Sequence, residues 1–167
     1  MKVTLHKAFG YIVVKNVFET ENEELQNHQW ANGPVSSFDV DAIWITAEGL
    51  SRFTEVNTGV IEEYGPGDFT PDVPTPGLWQ FKACEYPTTI FCLEAGNLNE
   101  GIDLHMIEKF TLKSGETVTL QQGTKLFLAH GTLTVDGSSH SGTKQLKLST
   151  GEKTLTATTD CYGFIFP

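Results

Sequence analysis

Four side chains able to hold a metal or a proton gather in the second half of this 167-residue chain: His105, Glu108, His130 and His140. A non-haem Fe, Mn, Ni or Zn site needs three or four imidazole or carboxylate donors converging at about 2.0–2.2 Å from one point. Their spacing argues against convergence. Glu108 follows His105 by three residues, which on one strand sets them on opposite faces. His130 falls on a row with Leu126 and Leu128, and His140 in the turn-like stretch SSHSG. No metal and no other cofactor is expected; if a metal is bound, these four are its candidate ligands. Adjacent acids (Asp39 with Asp41, Glu62 with Glu63, Asp68 with Asp72) would give the carboxylate pair of glycoside chemistry, but such pairs arise by chance in an acidic segment. Cys84, Cys92 and Cys161 are odd in number with no C-x-x-C spacing, so neither a disulfide framework nor a zinc ribbon follows. Cys84 and Cys92 read as small buried hydrophobes inside strands. The glycines of Tyr64-Gly65-Pro66-Gly67-Asp68 and of DGSSHSG lack the Lys-Ser/Thr and the following helix of a phosphate loop and read as turns. No catalytic residue is assigned. Trp30, Trp44, Trp79, Tyr64 and Tyr86 would build an aromatic wall for a sugar or apolar ligand, with core packing the commoner use of such rings.

The elements that must position these residues are strands. Eleven Phe against two Met, 16 Gly, abundant Thr and no Lys/Glu-rich helical stretch predict an all-β chain. Period-two alternation predicts strands near residues 42–47, 59–64, 78–84, 89–94, 107–112, 125–135, 144–148, 154–158 and 162–166. In KLFLAHGTLTV the row Phe127, Ala129, Gly131, Leu133, Val135 reads as the core face. A short helix over residues 21–29, capped by Asn22, is the one helical candidate. No apolar run approaches the roughly 20 residues of a membrane span, and MKVTLHKAFG lacks a signal peptide's apolar core, so a soluble cytoplasmic protein is expected. Net charge is −10, with five basic residues and fifteen acids in residues 1–101 and six of each in 102–167. That field argues against nucleic acid and anionic membranes as partners. The acids serve solubility, or else a cation or basic partner near Glu19, Glu21, Glu23 and Glu24.

An internal repeat organises the punctuation. It pairs Gly49 with Gly131, Gly67-Asp68 with Gly151-Glu152, Ala83 with Ala157 and Ile90 with Phe164, the excess length lying in GPGDFTPDVPTPG. The stretches IWITAEGLSRF to IFCL and FTLKSGETVTLQQGTKLFLAHGTLTVDG, with STGEKTLTATTDCYGFIF, carry the glycine and apolar spacing of a barrel repeated twice. The chain resembles the cupin superfamily, as a degenerate small bicupin. The resemblance implies a cupin-like jelly-roll barrel in two related units, residues 1–101 and 102–167, packed as one body, and homodimerisation through sheet edges.

The family's metal motifs are not retained. With Gly67, Pro74 and Gly77 in its second motif, the ligand position falls on Gln80 and the Asn position on Cys84. With Gly49 closing its first motif, the Glu position is Ala42 and the His positions are Ser36 and Phe38. In the second unit the corresponding positions are Thr124, Val118 and Leu120, which makes an apolar interior. The reading favours a non-catalytic module that binds a small molecule or a protein, with its ligand near Trp79, Gln80, Tyr64, Asp68 and the proline-rich loop. The alternatives are a cupin-type enzyme, of sugar isomerase or epimerase kind or with a displaced metal, and a structural subunit of an assembly. The polarity of the barrel interior discriminates among them.

Overall fold

The computed structural model describes residues 2–20, 42–55, 57–69, 79–94 and 104–167, with the backbone alone at 42, 79, 80 and 94. Fifteen strands account for nearly all of its regular structure: β1 Lys2–Ala8, β2 Tyr11–Phe18, β3 Ala42–Glu48, β4 Ser51–Glu55, β5 Ile61–Tyr64, β6 Trp79–Ala83, β7 Thr88–Glu94, β8 Glu108–Leu112, β9 Thr117–Leu120, β10 Lys125–His130, β11 Thr132–Val135, β12 Ser138–Ser141, β13 Lys144–Lys147, β14 Lys153–Ala157 and β15 Cys161–Phe166. A 3-10 turn, Leu104–Met106, carries His105. The helix expected over 21–29 lies outside the described residues. Among the described residues no helix is long and apolar enough to cross a membrane.

The chain divides into two compact units, Met1–His6 with Ile12–Glu100, and Lys7–Tyr11 with Gly101–Pro167. The tip of the β1–β2 hairpin thus belongs to the second unit. There Tyr11 stacks on Phe166 with centroids 4.6 Å apart, and the Phe9 N–H donates to Gln145 Oε1 at 3.0 Å. In the first unit the sheet orders are β1-β2-β7-β3 and β5-β4-β6; in the second they are β13-β10-β15-β8 and β12-β11-β14-β9.

Strand register exposes the repeat and corrects it in two places. Gly49 and Gly131 each follow a strand with a register irregularity, at Thr46/Glu48 in β3 and Leu128/His130 in β10. Both glycines have positive φ, +81° and +99°, and both abut the backbone opening the last strand of their unit, Thr88 and Cys161. A side chain at either place would collide with that backbone, which is why glycine stands there. Ser51 pairs Ala83 and Leu133 pairs Ala157, so the match of Ala83 with Ala157 holds. Ile45 pairs Phe91 where Phe127 pairs Phe164, so Phe91, not Ile90, is the counterpart of Phe164. The connection before β7 is one residue longer than that before β15. Ile45 also bridges Phe69, as Phe127 pairs Gln145, so Gly67-Asp68 corresponds to Thr143-Lys144 rather than to Gly151-Glu152.

The same irregularity overturns the single core face expected for residues 127–135. The cluster of the second unit takes Leu126 and Leu128 from β10 but Leu133 from β11, because the chain changes phase at Leu128/His130 and Gly131. Phe127 and Ala129, on the opposite row, are buried too. Strands β1, β2, β4, β9 and β12 were not among those expected; β12 turns SSHS into a paired strand instead of a turn.

Candidate functional site

The two interiors are chemically different. In the second unit Phe110, Leu112, Leu126, Leu128, Leu133, Leu148, Leu155, Ala157 and Cys161 form one buried cluster. Val118 and Leu120, at the expected histidine positions, pack against it. That interior is apolar.

The first unit mixes rings with polar groups. Phe53 and Phe81 pair across β4 and β6, and Trp44 meets Phe53 edge-on at 5.1 Å; Phe18 lies 5.0 Å from Phe81. These residues are buried and make an aromatic floor. Residues directly opposite on paired strands share a face, so Glu62 (opposite Phe53) and Tyr64 (opposite Ser51) stand on the floor's side of β5. Both are half-buried. The Tyr64 hydroxyl donates to Glu62 Oε2 at 2.8 Å, and its ring meets Phe53 edge-on at 5.8 Å. Burial raises the Tyr64 phenol above its ordinary value, and the hydrogen bond and charge of Glu62 with the charge of Asp68 raise it further. The phenol therefore stays a donor. Glu55, buried at the end of the same row of β4, accepts from the Thr58 N–H at 2.6 Å. Thr46 donates to Ser51 Oγ at 3.1 Å within the interior. Asn16 on β2, opposite Ile90 on β7, is fully buried, and neither polar atom of its amide has a hydrogen-bond partner among the described residues.

The expected site residues divide accordingly. Tyr64 and Asp68 share one electrostatic neighbourhood; the exposed Asp68 accepts from the Gly65 N–H at 2.8 Å and holds the turn after β5. Position 79 lies opposite Glu55 and position 80 opposite Thr54, so Trp79 is on the row of the core residues Phe81 and Ala83 and Gln80 is on the row of Arg52 and Lys82. As neighbours along one strand, the two positions lie on opposite rows. Residues 70–77 of the proline-rich loop, Asp72 among them, and Trp30, Ser36, Phe38, Asp39 and Asp41 lie outside the described residues. Glu62 and Glu63 are likewise on opposite faces, Glu63 reaching Arg52 at 3.1 Å. Glu62, read from the sequence only as one of a pair with Glu63, and Glu55, which the sequence reading did not choose, carried one usable signal, their spacing of two from the aromatic residues Tyr64 and Phe53.

The histidines do not assemble. His105 is in the 3-10 turn; Glu108 opens β8 opposite Ile165; His130, exposed, stacks on Tyr162 with centroids 5.6 Å apart; and His140 is on β12 in the other sheet. His140 Nδ1 lies 2.9 Å from Lys144 Nζ, and burial followed by the Lys144 charge lowers its proton affinity. Among the described residues no three His, Cys, Asp or Glu are placed to hold a metal ion. Ala42 and the β6 residues at the remaining cupin positions offer no imidazole or carboxylate, so the residues present do not fit that centre. Cys92 and Cys161 are buried, whereas Cys84 is half-buried after β6 instead of inside a strand.

Solved structures of similar fold are found. A bacterial pirin, YhhW from Escherichia coli, solved in complex with nickel(II), is similar over 96% of this chain and 84% of its own length, with a TM-score of 0.54 at 13% identity. AerE from Microcystis aeruginosa is similar over 98% and 90% of the two chains, with a TM-score of 0.53 at 13% identity. The chain has a cupin fold. A cupin 2 conserved barrel domain protein from Leptotrichia buccalis is similar over 98% and 87%, with a TM-score of 0.48 at 13% identity. No family model matches the cupin-fold chain, and no curated protein matches it in sequence. At these identities the likeness concerns the fold, and the chemistry must be read from the residues.

Proposed function

We propose that this cupin-fold protein is a non-catalytic binding module whose first unit takes a small molecule over the aromatic floor, beside Tyr64 and Glu62. The observation that carries the reading is the contrast of interiors: the second holds a largely aliphatic buried cluster, while the first sets a phenol and carboxylates against packed rings. An aromatic floor with few polar groups at its edge is the usual make-up of a small-molecule site. Two carboxylates, Glu55 and Glu62, favour a neutral or cationic ligand with hydroxyl or amine donors and repel anions. Asp68 and the row of Trp79 complete the rim.

Calorimetry with neutral phenols, aromatic amines and aromatic carboxylates tests this. Saturable binding of the first two classes, weakened by Glu62→Gln and Tyr64→Phe, is expected; no saturable binding of either class, or binding that both variants leave unchanged, would contradict it. An enzyme of isomerase or epimerase type is the second reading, favoured only by the pairing of the Tyr64 hydroxyl with the Glu62 carboxylate, a proton-bearing group and an acceptor side by side at the edge of the rings. Homodimerisation through exposed strand edges, with the acidic surface of the first unit in solvent, is part of the proposal and is tested by light scattering. A cytoplasmic location agrees with three free cysteines.

A further inference from the structure

In the second unit β12 is an edge of one sheet and β13 an edge of the other. Beside them, between the β11–β12 hairpin and the turn from Leu148 to Lys153, opens a cleft of about 290 Å³. Its floor is apolar: Val135 and Leu146 pack against the aliphatic cluster, and Leu148 is part of it. Its rim is cationic. Lys147 and the half-buried Lys153 line it with a single acid, Asp136. One Lys153 N–H bond goes to Asp136 Oδ2 at 2.7 Å, which leaves two of the three ammonium donors. Ser149 and Thr150 add hydroxyls. His140 also lines the cleft, and with Nδ1 accepting from the Lys144 ammonium its Nε2 carries the proton and is a donor. In a chain of net charge −10, this cleft gathers donors and positive charge over an aliphatic floor.

We propose that the cleft is a second ligand site, separate from the one in the first unit, and that it takes a small monocarboxylate with a short apolar body. The carboxylate sits between Lys147 and Lys153, and the body lies on Val135, Leu146 and Leu148. The volume is that of about ten water molecules, so a ligand of about ten heavy atoms fills it. Charge complementarity selects the anion, and the floor selects against one that is polar throughout. Asp136 competes with the ligand for Lys153.

The test uses phenylacetate and its uncharged analogue phenylacetamide, titrated into the full chain while backbone amide resonances are followed. Phenylacetate is expected to give saturable shifts within residues 135–153, with phenylacetamide at least about ten-fold weaker. The double variant Lys147→Gln/Lys153→Gln weakens phenylacetate about ten-fold or more. Asp136→Asn tightens it about three-fold, because it frees Lys153 while Asn-Gly suits the left-handed turn at Asp136, φ 51°, and Gly137 as well as Asp-Gly does. That variant keeps the test decisive even where loss of both lysines unfolds the unit. Equal affinity for acid and amide, no saturable shift in this segment up to about 20 mM, or unchanged or weaker binding by Asp136→Asn each overturn the proposal.

Discussion

A methyl group added at Gly131 would have to occupy space held by the backbone of Asp160 and Cys161, its Cβ falling 2.8 Å from Cys161 Cα. Two costs add. The first is conformational: φ of +99° charges an L side chain about 1–2 kcal/mol. The second is steric: relief requires the start of β15 to move away from β10, disturbing the Thr158 and Thr159 N–H bonds to the Thr132 carbonyl and the pairing of His130 with Tyr162. Together they place Gly131→Ala at about 4 kcal/mol, among the most damaging single changes. Gly137 separates the two costs, since its φ is +79° and an added Cβ meets nothing within 4 Å. Gly137→Ala should cost about 1–2 kcal/mol. For a chain of this length each kcal/mol lowers Tm by roughly 2–4 °C, so Gly131→Ala should melt roughly 5–10 °C below Gly137→Ala. Gly49→Ala should behave like Gly131→Ala, its Cβ lying 2.6 Å from the Pro87 carbonyl oxygen, with Gly59→Ala as its control in open space. Thermal melts of the four variants followed by far-ultraviolet circular dichroism decide it. If Gly49→Ala and Gly131→Ala melt within about 2 °C of their controls, the close backbone approach shared by the two units is wrong.

Asn16→Leu should raise stability by about 1–3 kcal/mol in urea unfolding, because it removes a buried amide with neither polar atom paired; a loss of stability would mean that the amide has a partner. The raised Tyr64 phenol makes the folded state hold a proton that the unfolded state releases from about pH 10 upward. Stability from this group is therefore complete below pH 10 and declines as pH rises towards the folded-state value, and Tyr64→Phe should flatten that decline in alkaline melts. With a thiol reagent at pH 8, Cys84 should react first and Cys161 last, since Cys161 is fully buried and its thiol is pushed up to about 11 by burial, then by Asp160; fast modification of Cys161 would refute its packing.

The architecture was legible because glycines and alternation record backbone constraints directly. Gly49 and Gly131 mark the same corner of two units, and Ala83 and Ala157 the same place on paired strands. Strands whose alternation is broken by charge or serine, such as β1 with Lys2, His6 and Lys7 or β12 with SSHS, gave no such record. Registers were less legible than strands. The match of Ile90 with Phe164 was one residue out because a connection can lengthen without any change of composition. Of the candidate site, Tyr64 and Asp68 were visible as polar groups beside a turn. Glu62 was read as one of a pair with Glu63, and only the pairing of Phe53 with Glu62 shows which carboxylate faces the rings. Asn16 offered no sequence signal, since an Asn in YIVVKNVF looks the same whether it faces water or the core.

The central claim, that the first unit and not the interior of the second takes the small ligand beside Tyr64, is tested most directly by mapping amide shifts during titration with a neutral phenol. Saturable shifts should centre on Ser51–Glu55, Ile61–Tyr64 and the turn to Asp68, and Glu62→Gln should diminish them. Shifts centred instead on Phe110–Leu112, Leu126–Leu128 and Leu155–Ala157 would contradict the claim, as would a response that never saturates.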